Sequence, residues 1–509
     1  MPYLIGIDLG TSATKTIMID ENGAIVASAL QQYPMYQPQN GWAEQDPSDW
    51  KDAVLKTIKE VVEQAGVEKE EILGIGLSGQ MHGLVMLDEK NEPIGKSIIW
   101  CDQRTEKQVK EMHEILPLSK WLQITANPPL AAWTAAKILW TRDNEPEKYQ
   151  VCRHILLPKD YIRQVLTGEF ATDVSDASGM QLLDVKNRCW SDEILNALHI
   201  DKNLLGTVHE SQEITGTVKK EIADICGLSD KTIVVAGASD NASAAIGTGV
   251  VNDGEAFTTI GTSAIVYTHL DSYKEIPEGS LHICCCAVPG CWHTMGGPQS
   301  AGLSLEWFKN NFCTDYDVEA EEREMDVYSL MNEKIDRVPI GSDKLIFLPF
   351  LMGERTPHMD PKYRGAFLGL NAVHKKENLL RAVMEGVSYS LADCNNILKS
   401  IGTVVNSMRV CGGGSKSPVW QKIMAALYDC DIKTLKQEEG PAYGACILAG
   451  VAAGVFENIQ KACEEFVKED KTIYCNRNDM EKYKKYHKLY DRFYEALKDE
   501  FGLLADIDE

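Results

Sequence analysis

Gly6-Ile7-Asp8-Leu9-Gly10-Thr11-Ser12, with Lys15 three residues further on, is the stretch from which the rest of this chain is read. The apolar run over residues 3–8 predicts a buried strand, and Gly10-Thr11-Ser12 a turn into a second strand over 14–20. Asn22-Gly23 is a hairpin signal that leads into a third strand over 24–29. Residues 47–65 place Val54, Ile58, Val61 and Val62 on one helical face, with Asp46 or Ser48 as the cap, and 72–77 return to a buried strand.

A similar order recurs past residue 253. Strands are expected over 256–260, 264–269 and 281–287, the first two joined by a second Gly-Thr-Ser turn at Gly261-Thr262-Ser263, and a helix over 302–311 follows. A repeated supersecondary unit predicts two related lobes. The turn chemistry of Asn252-Asp253-Gly254 places their boundary, giving lobes of 1–250 and 251–509, with a charged helix over 480–501 on the surface of the second.

At 509 residues with 44% apolar side chains the chain can bury more than one core. A net charge of −24 argues against nucleic acid or an anionic membrane as partner, although a local nest of backbone N–H groups still binds phosphate. The N-terminus lacks the basic region of a signal peptide, and the uncharged run 441–456 is too short and too rich in glycine and alanine for a membrane span. A buried helix is expected there. Fifteen cysteines without a C-x-x-C pair suit a reducing cytoplasm. Cys284-Cys285-Cys286 invites a metal reading with Cys291, His282 and His293 nearby. Adjacent strand residues point to opposite faces, however, so the three cannot converge on one ion, and a buried strand is the expectation.

Two motifs are set aside. Gly74-x-Gly76-x-x-Gly79 matches a dinucleotide fingerprint, but its first two glycines lie inside a strand and Asp88 follows too closely. Gly95-Lys96-Ser97 resembles the end of a P-loop, but Lys90 stands where the first glycine should be. Four glycine- and hydroxyl-rich turns carry more weight: the two Gly-Thr-Ser turns, Gly412-Gly413-Gly414-Ser415, and Gly440-Pro441-Ala442-Tyr443-Gly444-Ala445. Such turns let backbone N–H groups approach phosphate oxygens. Asp8, immediately before one of them, would repel an anion unless Mg²⁺ lay between. Asp240, in Gly237-Ala238-Ser239-Asp240-Asn241-Ala242 after the strand 232–236, could simply cap a helix. Its place beside the lobe boundary, where a cleft gathers ligand groups, favours a reactive role.

The ordered set Asp8-Leu9-Gly10-Thr11-Ser12, Gly79-Gln80-Met81-His82-Gly83, Asp240-Asn241, Gly261-Thr262-Ser263 and Gly412-Gly413-Gly414 resembles the FGGY carbohydrate kinases. Trp42-Ala43-Glu44-Gln45-Asp46-Pro47, Leu157-Pro158-Lys159-Asp160-Tyr161 and Gly353-Glu354-Arg355-Thr356-Pro357-His358 resemble the xylulokinases within that family. The resemblance implies an α/β fold of two ribonuclease-H-like lobes of the actin/hexokinase type, closing over a cleft. It implies transfer of a phosphoryl group from ATP to a sugar, D-xylulose before other ketopentoses, polyols or sugar acids. Asp240 would be the catalytic base, and Gln80, Met81, His82, Asp240 and Asn241 would meet the sugar, with Asp102 and Arg104 as weaker candidates whose bland reading is an exposed ion pair. Thr11, Ser12 and Lys15, then Gly261, Thr262 and Ser263, would cradle phosphates, with Gly302, Gly412, Gly413 and Ser417 near the nucleotide and Asp8 holding Mg²⁺ through water. Ser239 and Ser243 stand where glycine or alanine would be expected. A homodimer is the assembly to test. Two rivals stay open: an actin- or chaperone-like ATPase with no small acceptor, and a binding protein that kept the fold and lost catalysis.

Overall fold

Two seven-stranded mixed sheets organise the chain, and the computed structural model describes residues 1–437 and 439–507. In the first sheet β1 (Tyr3–Leu9) turns back into β2 (Ala13–Asp20) and β3 (Ile25–Gln32). Helix α1 (Pro47–Ala65) then leads to β4 (Ile72–Gly79), parallel to β1. The Asp46 carboxylate caps α1 by accepting from the Ser48 N–H at 3.0 Å, and the predicted apolar face is buried. Helix α2 (Pro158–Thr167), strands β5 (Ile214–Thr217) and β6 (Ile233–Val235), and helix α3 (Asp240–Gly247) follow. The main sheet order is β5-β6-β4-β1-β2-β3.

The second sheet contains β7 (Glu255–Ile260), β8 (Ala264–Leu270), β9 (His282–Cys285) and β10 (Trp292–Gly296). Helices α4 (Gly302–Phe312) and α5 (Lys376–Ser400) precede β11 (Ser407–Cys411) and β12 (Asp431–Leu435). Helix α6 (Gly440–Ala452), strand β13 (Glu469–Ile473) and helix α7 (Arg477–Ala505) close the chain. The order is β9-β10-β8-β7-β11-β12-β13. From β3 to β5 the pairings run antiparallel, antiparallel, parallel, parallel, antiparallel. From β10 to β13 they repeat in that sequence. The two Gly-Thr-Ser turns occupy the same place in both units, as expected of two ribonuclease-H-like lobes.

One expectation is corrected. The stretch 281–287 is not the counterpart of β3 but the outer edge strand β9, and β10 takes the inner place beside β8. The chain reverses over 288–291, where the Cys286 N–H donates to the Cys291 carbonyl at 3.1 Å. An apolar run reads alike at an edge and one strand further in, so the pattern did not distinguish them.

Helix α6 lies in the second half of the chain but packs on the first sheet, against β1 and β4. This explains the middle glycine of the rejected fingerprint: a Cβ on Gly76 would sit 1.9 Å from the Ala445 carbonyl oxygen. Helices α3 and α6 cross almost backbone to backbone. A Cβ on Gly444 would lie 1.9 Å from the Ser243 carbonyl oxygen, and one on Gly247 would lie 1.8 Å from that of Gly440. The Ser243 hydroxyl donates to the Pro441 carbonyl at 2.7 Å, so the unexpected serine fastens the crossing.

Candidate active site

The turn Gly261-Thr262-Ser263 separates two cavities. On one side Gly261 and Thr262 border a space of about 480 Å³, with Gly302, Asn332, Gly413 and Ser417 also on its walls. On the other, Ser263 borders a space of about 380 Å³ shared with Met81, His82, Trp133, Asp240 and Asn241. The first is built wholly from the second half of the chain. The second is walled by residues of both halves, and Ser263 and Asp240 share it.

Asp240 opens helix α3, and Ser239 before it pairs with the end of β4. The Ser239 N–H donates to the Ser175 hydroxyl at 3.0 Å, and that hydroxyl donates to Asp173 at 2.5 Å. Asp173 is held in turn by the buried Lys159 ammonium at 2.8 Å. Lys159 also binds Asp160, and Arg163 shares Asp160, so a buried ionic cluster on α2 fixes the backbone on which Asp240 stands. One Asp240 oxygen accepts the backbone and side-chain N–H groups of Asn241 at 2.7 and 2.9 Å. Burial, then the negative charge of Asp8, pushes the Asp240 carboxyl up from 3.8 to about 7, with the Asn241 N–H opposing.

His82 is buried and stacked on Trp133, ring centroids 4.7 Å apart. Burial brings the imidazole down to about 3 against the pull of the Gly179 carbonyl, so the ring is neutral near pH 7. Its Nδ1 lies 2.9 Å from that carbonyl, which can only accept, so Nδ1 carries the proton and Nε2 is left as an acceptor. Lys137 donates to the His82 carbonyl at 2.7 Å and holds the loop from behind.

The turn Gly10-Thr11-Ser12 lies outside both cavities. Thr11 accepts from the Trp100 indole N–H at 2.9 Å, Ser12 is exposed, and Lys15 is paired with Glu439 at the start of α6. Gln80 donates to Gln45 at 2.8 Å and braces the Gly10 turn without lining the pocket. Gly412 stands just behind the wall of the larger cavity formed by Gly413 and Gly414. The Ser417 hydroxyl caps the following helix and bonds Asn332. Asp8 accepts from the Ser78 hydroxyl at 3.1 Å, and burial pushes its carboxyl up to about 6, with Ser78 and Lys15 opposing. Among the described residues neither Asp8 nor Asp240 has a cationic side chain at ion-pair distance. Two neighbouring carboxylates lacking a cation beside a hydroxyl turn fit a hard divalent ion such as Mg²⁺.

Asp102 and Arg104 line no wall of the smaller cavity. Nor is their pair exposed: Asp102 is fully buried and accepts from the Ala43 N–H at 2.6 Å. Arg104 reaches Asp102 and Glu44 and lies 3.7 Å over the Trp42 ring, with Trp140 also within reach. It is a structural clasp made by residues distant in sequence. Conversely, Trp133, His282, Gln299 and Arg355 line the pocket but are absent from the expected sugar contacts. Arg355 had a signal in the Gly-Glu-Arg-Thr-Pro-His stretch, which suggested kinship but no role, and His282 had one only in the metal reading that was set aside.

No described helix is long and apolar enough to cross a membrane. The N-terminal domain model of the FGGY family of carbohydrate kinases matches residues 3–247, and the C-terminal domain model matches 256–453. The chain is 36% identical over 499 residues to the xylulose kinase of Bacillus subtilis (strain 168), covering 98% of each protein. A solved "xyloylose kinase" from Brucella ovis is 33% identical with a TM-score of 0.89, covering 98% of this chain and 99% of its own. A gluconate kinase from Lactobacillus acidophilus is 28% identical with a TM-score of 0.92, covering 99% of each chain.

Proposed function

Because the chain belongs to the FGGY family of carbohydrate kinases, we propose that its acceptor is D-xylulose, converted with ATP to D-xylulose 5-phosphate. ATP-dependent phosphorylation of a sugar is the family's chemistry, and a curated relative that aligns over 98% of each protein is a xylulose kinase. The observation that carries the reading is the shared wall: one Gly-Thr-Ser turn borders a nucleotide-sized cavity on one side and a polyol-sized cavity holding Asp240 on the other.

In this reading Gly261, Thr262, Gly302, Gly413 and Ser417 hold the nucleotide, with Gly412 shaping the loop. Thr11, Ser12 and Lys15 reach the phosphates once Lys15 leaves Glu439. Met81, His82 and Asn241 orient the sugar. The neutral His82 Nε2 accepts from a sugar hydroxyl, and Trp133 fixes the ring plane. Phosphoryl transfer has a loose transition state, so alignment and charge neutralisation do most of the work. A carboxylate with its pKa near 7 is a far better base than a solvated one, and Asp240 takes the hydroxyl proton as the O–P bond forms. Asp8 would hold Mg²⁺ through water, and that ion would neutralise charge on the transferring phosphoryl group. The lobes, 1–250 and 251–509 in this reading, close and exclude water.

The test is ADP release from Mg-ATP across D-xylulose, L-xylulose, D-ribulose, L-ribulose, glycerol and gluconate. Strong stimulation by D-xylulose alone is expected. Stimulation by a different sugar would replace the acceptor and keep the kinase, whereas turnover indifferent to every sugar would favour the ATPase rival. His82→Ala is expected to raise the KM for the sugar by ~10–100-fold, the loss of one or two buried hydrogen bonds, with the KM for ATP unchanged. An unchanged sugar KM would remove His82 from binding.

A further inference from the structure

The three strands at the outer edge of the second sheet carry an unusual run of side chains. In the register, His269 of β8 lies opposite His293 of β10, and His293 lies opposite Cys284 of β9. Alternation then puts Asp271 and Cys291, two residues from His269 and His293, on that same face. Cys286 shares it too, whereas Cys285 points away and donates to the Val185 carbonyl. The three consecutive cysteines do not converge, but one face gathers thiol, imidazole and carboxylate groups from neighbouring strands.

At the open end of this face His269, Asp271 and Cys291 bring one ligand atom each to within 4.8 Å of one another. His269 Nε2 is 3.1 Å from the Asp271 carboxylate, and the Cys291 thiol stands beside both. His269 is 1% exposed, and among the described residues its Nδ1 and both ring nitrogens of His293 lack hydrogen-bond partners. Buried polar atoms left without partners are costly and call for an explanation. Asp271 is exposed and Cys291 half-buried, so an ion could enter from solvent.

We propose that His269, Asp271 and Cys291 form a binding site for one thiophilic divalent cation of the Zn²⁺ type, separate from the phosphoryl-transfer cleft. The donor set of one nitrogen, one oxygen and one sulfur suits zinc and disfavours Mg²⁺, and the fourth position is open to water or to Cys286. Binding there ties the end of β8 to the turn that enters β10. Ser263 stands at the other end of β8, so the ion braces a strand that carries the phosphate turn.

The test uses the full chain under a non-chelating reductant, stripped of metal and dialysed against Zn²⁺ or Co²⁺. One tightly held zinc per chain is expected, and the cobalt form should show a thiolate-to-metal charge-transfer band. Cys291→Ser and His269→Gln should each weaken binding by at least ~10-fold. Cys189→Ser, which removes an exposed thiol elsewhere, should change nothing. Retained kinase activity certifies each variant's fold. Absence of zinc retention, a cobalt form without the thiolate band, or equal affinity in the folded Cys291→Ser variant would each overturn the site. The cobalt spectrum of the unaltered chain decides the matter even where a variant fails to fold.

Discussion

Asp240→Asn is expected to lose ~10²–10⁴-fold in kcat while becoming more stable than the native chain at about pH 8. The loss follows from removing the proton acceptor. The gain follows from linkage: a carboxyl raised from 3.8 to about 7 keeps its proton longer folded than unfolded, so its ionised form opposes folding. This cost is absent below the ordinary carboxylate range, grows as pH rises towards about 7, and then levels off. At ~1.4 kcal/mol per unit the ceiling is ~4 kcal/mol. Asp240 is partly exposed to the cavity, so ~1–3 kcal/mol is the expected gain, read as a melting temperature a few degrees higher. The gap between variant and native chain should shrink at about pH 5. In the active enzyme the same ionisation gives an acid limb, with kcat/KM for the sugar falling as pH drops through the Asp240 pKa. Substantial turnover in the variant would remove Asp240 from the chemistry. A variant no more stable at about pH 8 than the native chain would show that Asp240 carries no such strain.

Gly444→Ala is the second large effect, and it acts through packing alone. The added carbon would lie 1.9 Å from the Ser243 carbonyl oxygen, where neither helix backbone can yield without opening the α3–α6 crossing. Overpacking a tight core contact costs ~1–3 kcal/mol and more where backbone must move. Because α3 begins with Asp240, the displacement should also depress kcat. Gly502→Ala is the matched control: it lies in helix α7, its Cβ would meet nothing within 4 Å, and it should stabilise by ~0.5–1 kcal/mol. Equal melting temperatures for Gly444→Ala and the native chain would mean that the two helices separate freely.

The parts of this fold legible in the sequence were those with local causes. Helix α1 announces itself through Asp46, Pro47 and a spaced apolar face, and the two Gly-Thr-Ser turns betray the doubled unit. What could not be read depends on partners far along the chain. Gly76 is a glycine because α6 arrives from the other half of the molecule. Arg104 is clasped by Trp42 and Trp140, so a doublet that reads as exposed is interior. Trp133 and Arg355 enter the pocket from loops whose local composition carries no ligand signal. Asp240 was visible as a candidate from its position, but its altered basicity was not, because that arises from solvent exclusion and the charge of Asp8.

The placement of α6 also bears on the life of the chain before it is complete. The first sheet is finished by strands that end near residue 239, yet the helix covering β1 and β4 is synthesised only after residue 440. Throughout that interval a glycine-lined apolar sheet face stays uncovered on the nascent polypeptide. Synthesis of the second half thus runs against a clock set by the exposure of the first, and a ribosome stalled between residues 250 and 440 holds a sticky half-product that chaperones must shield.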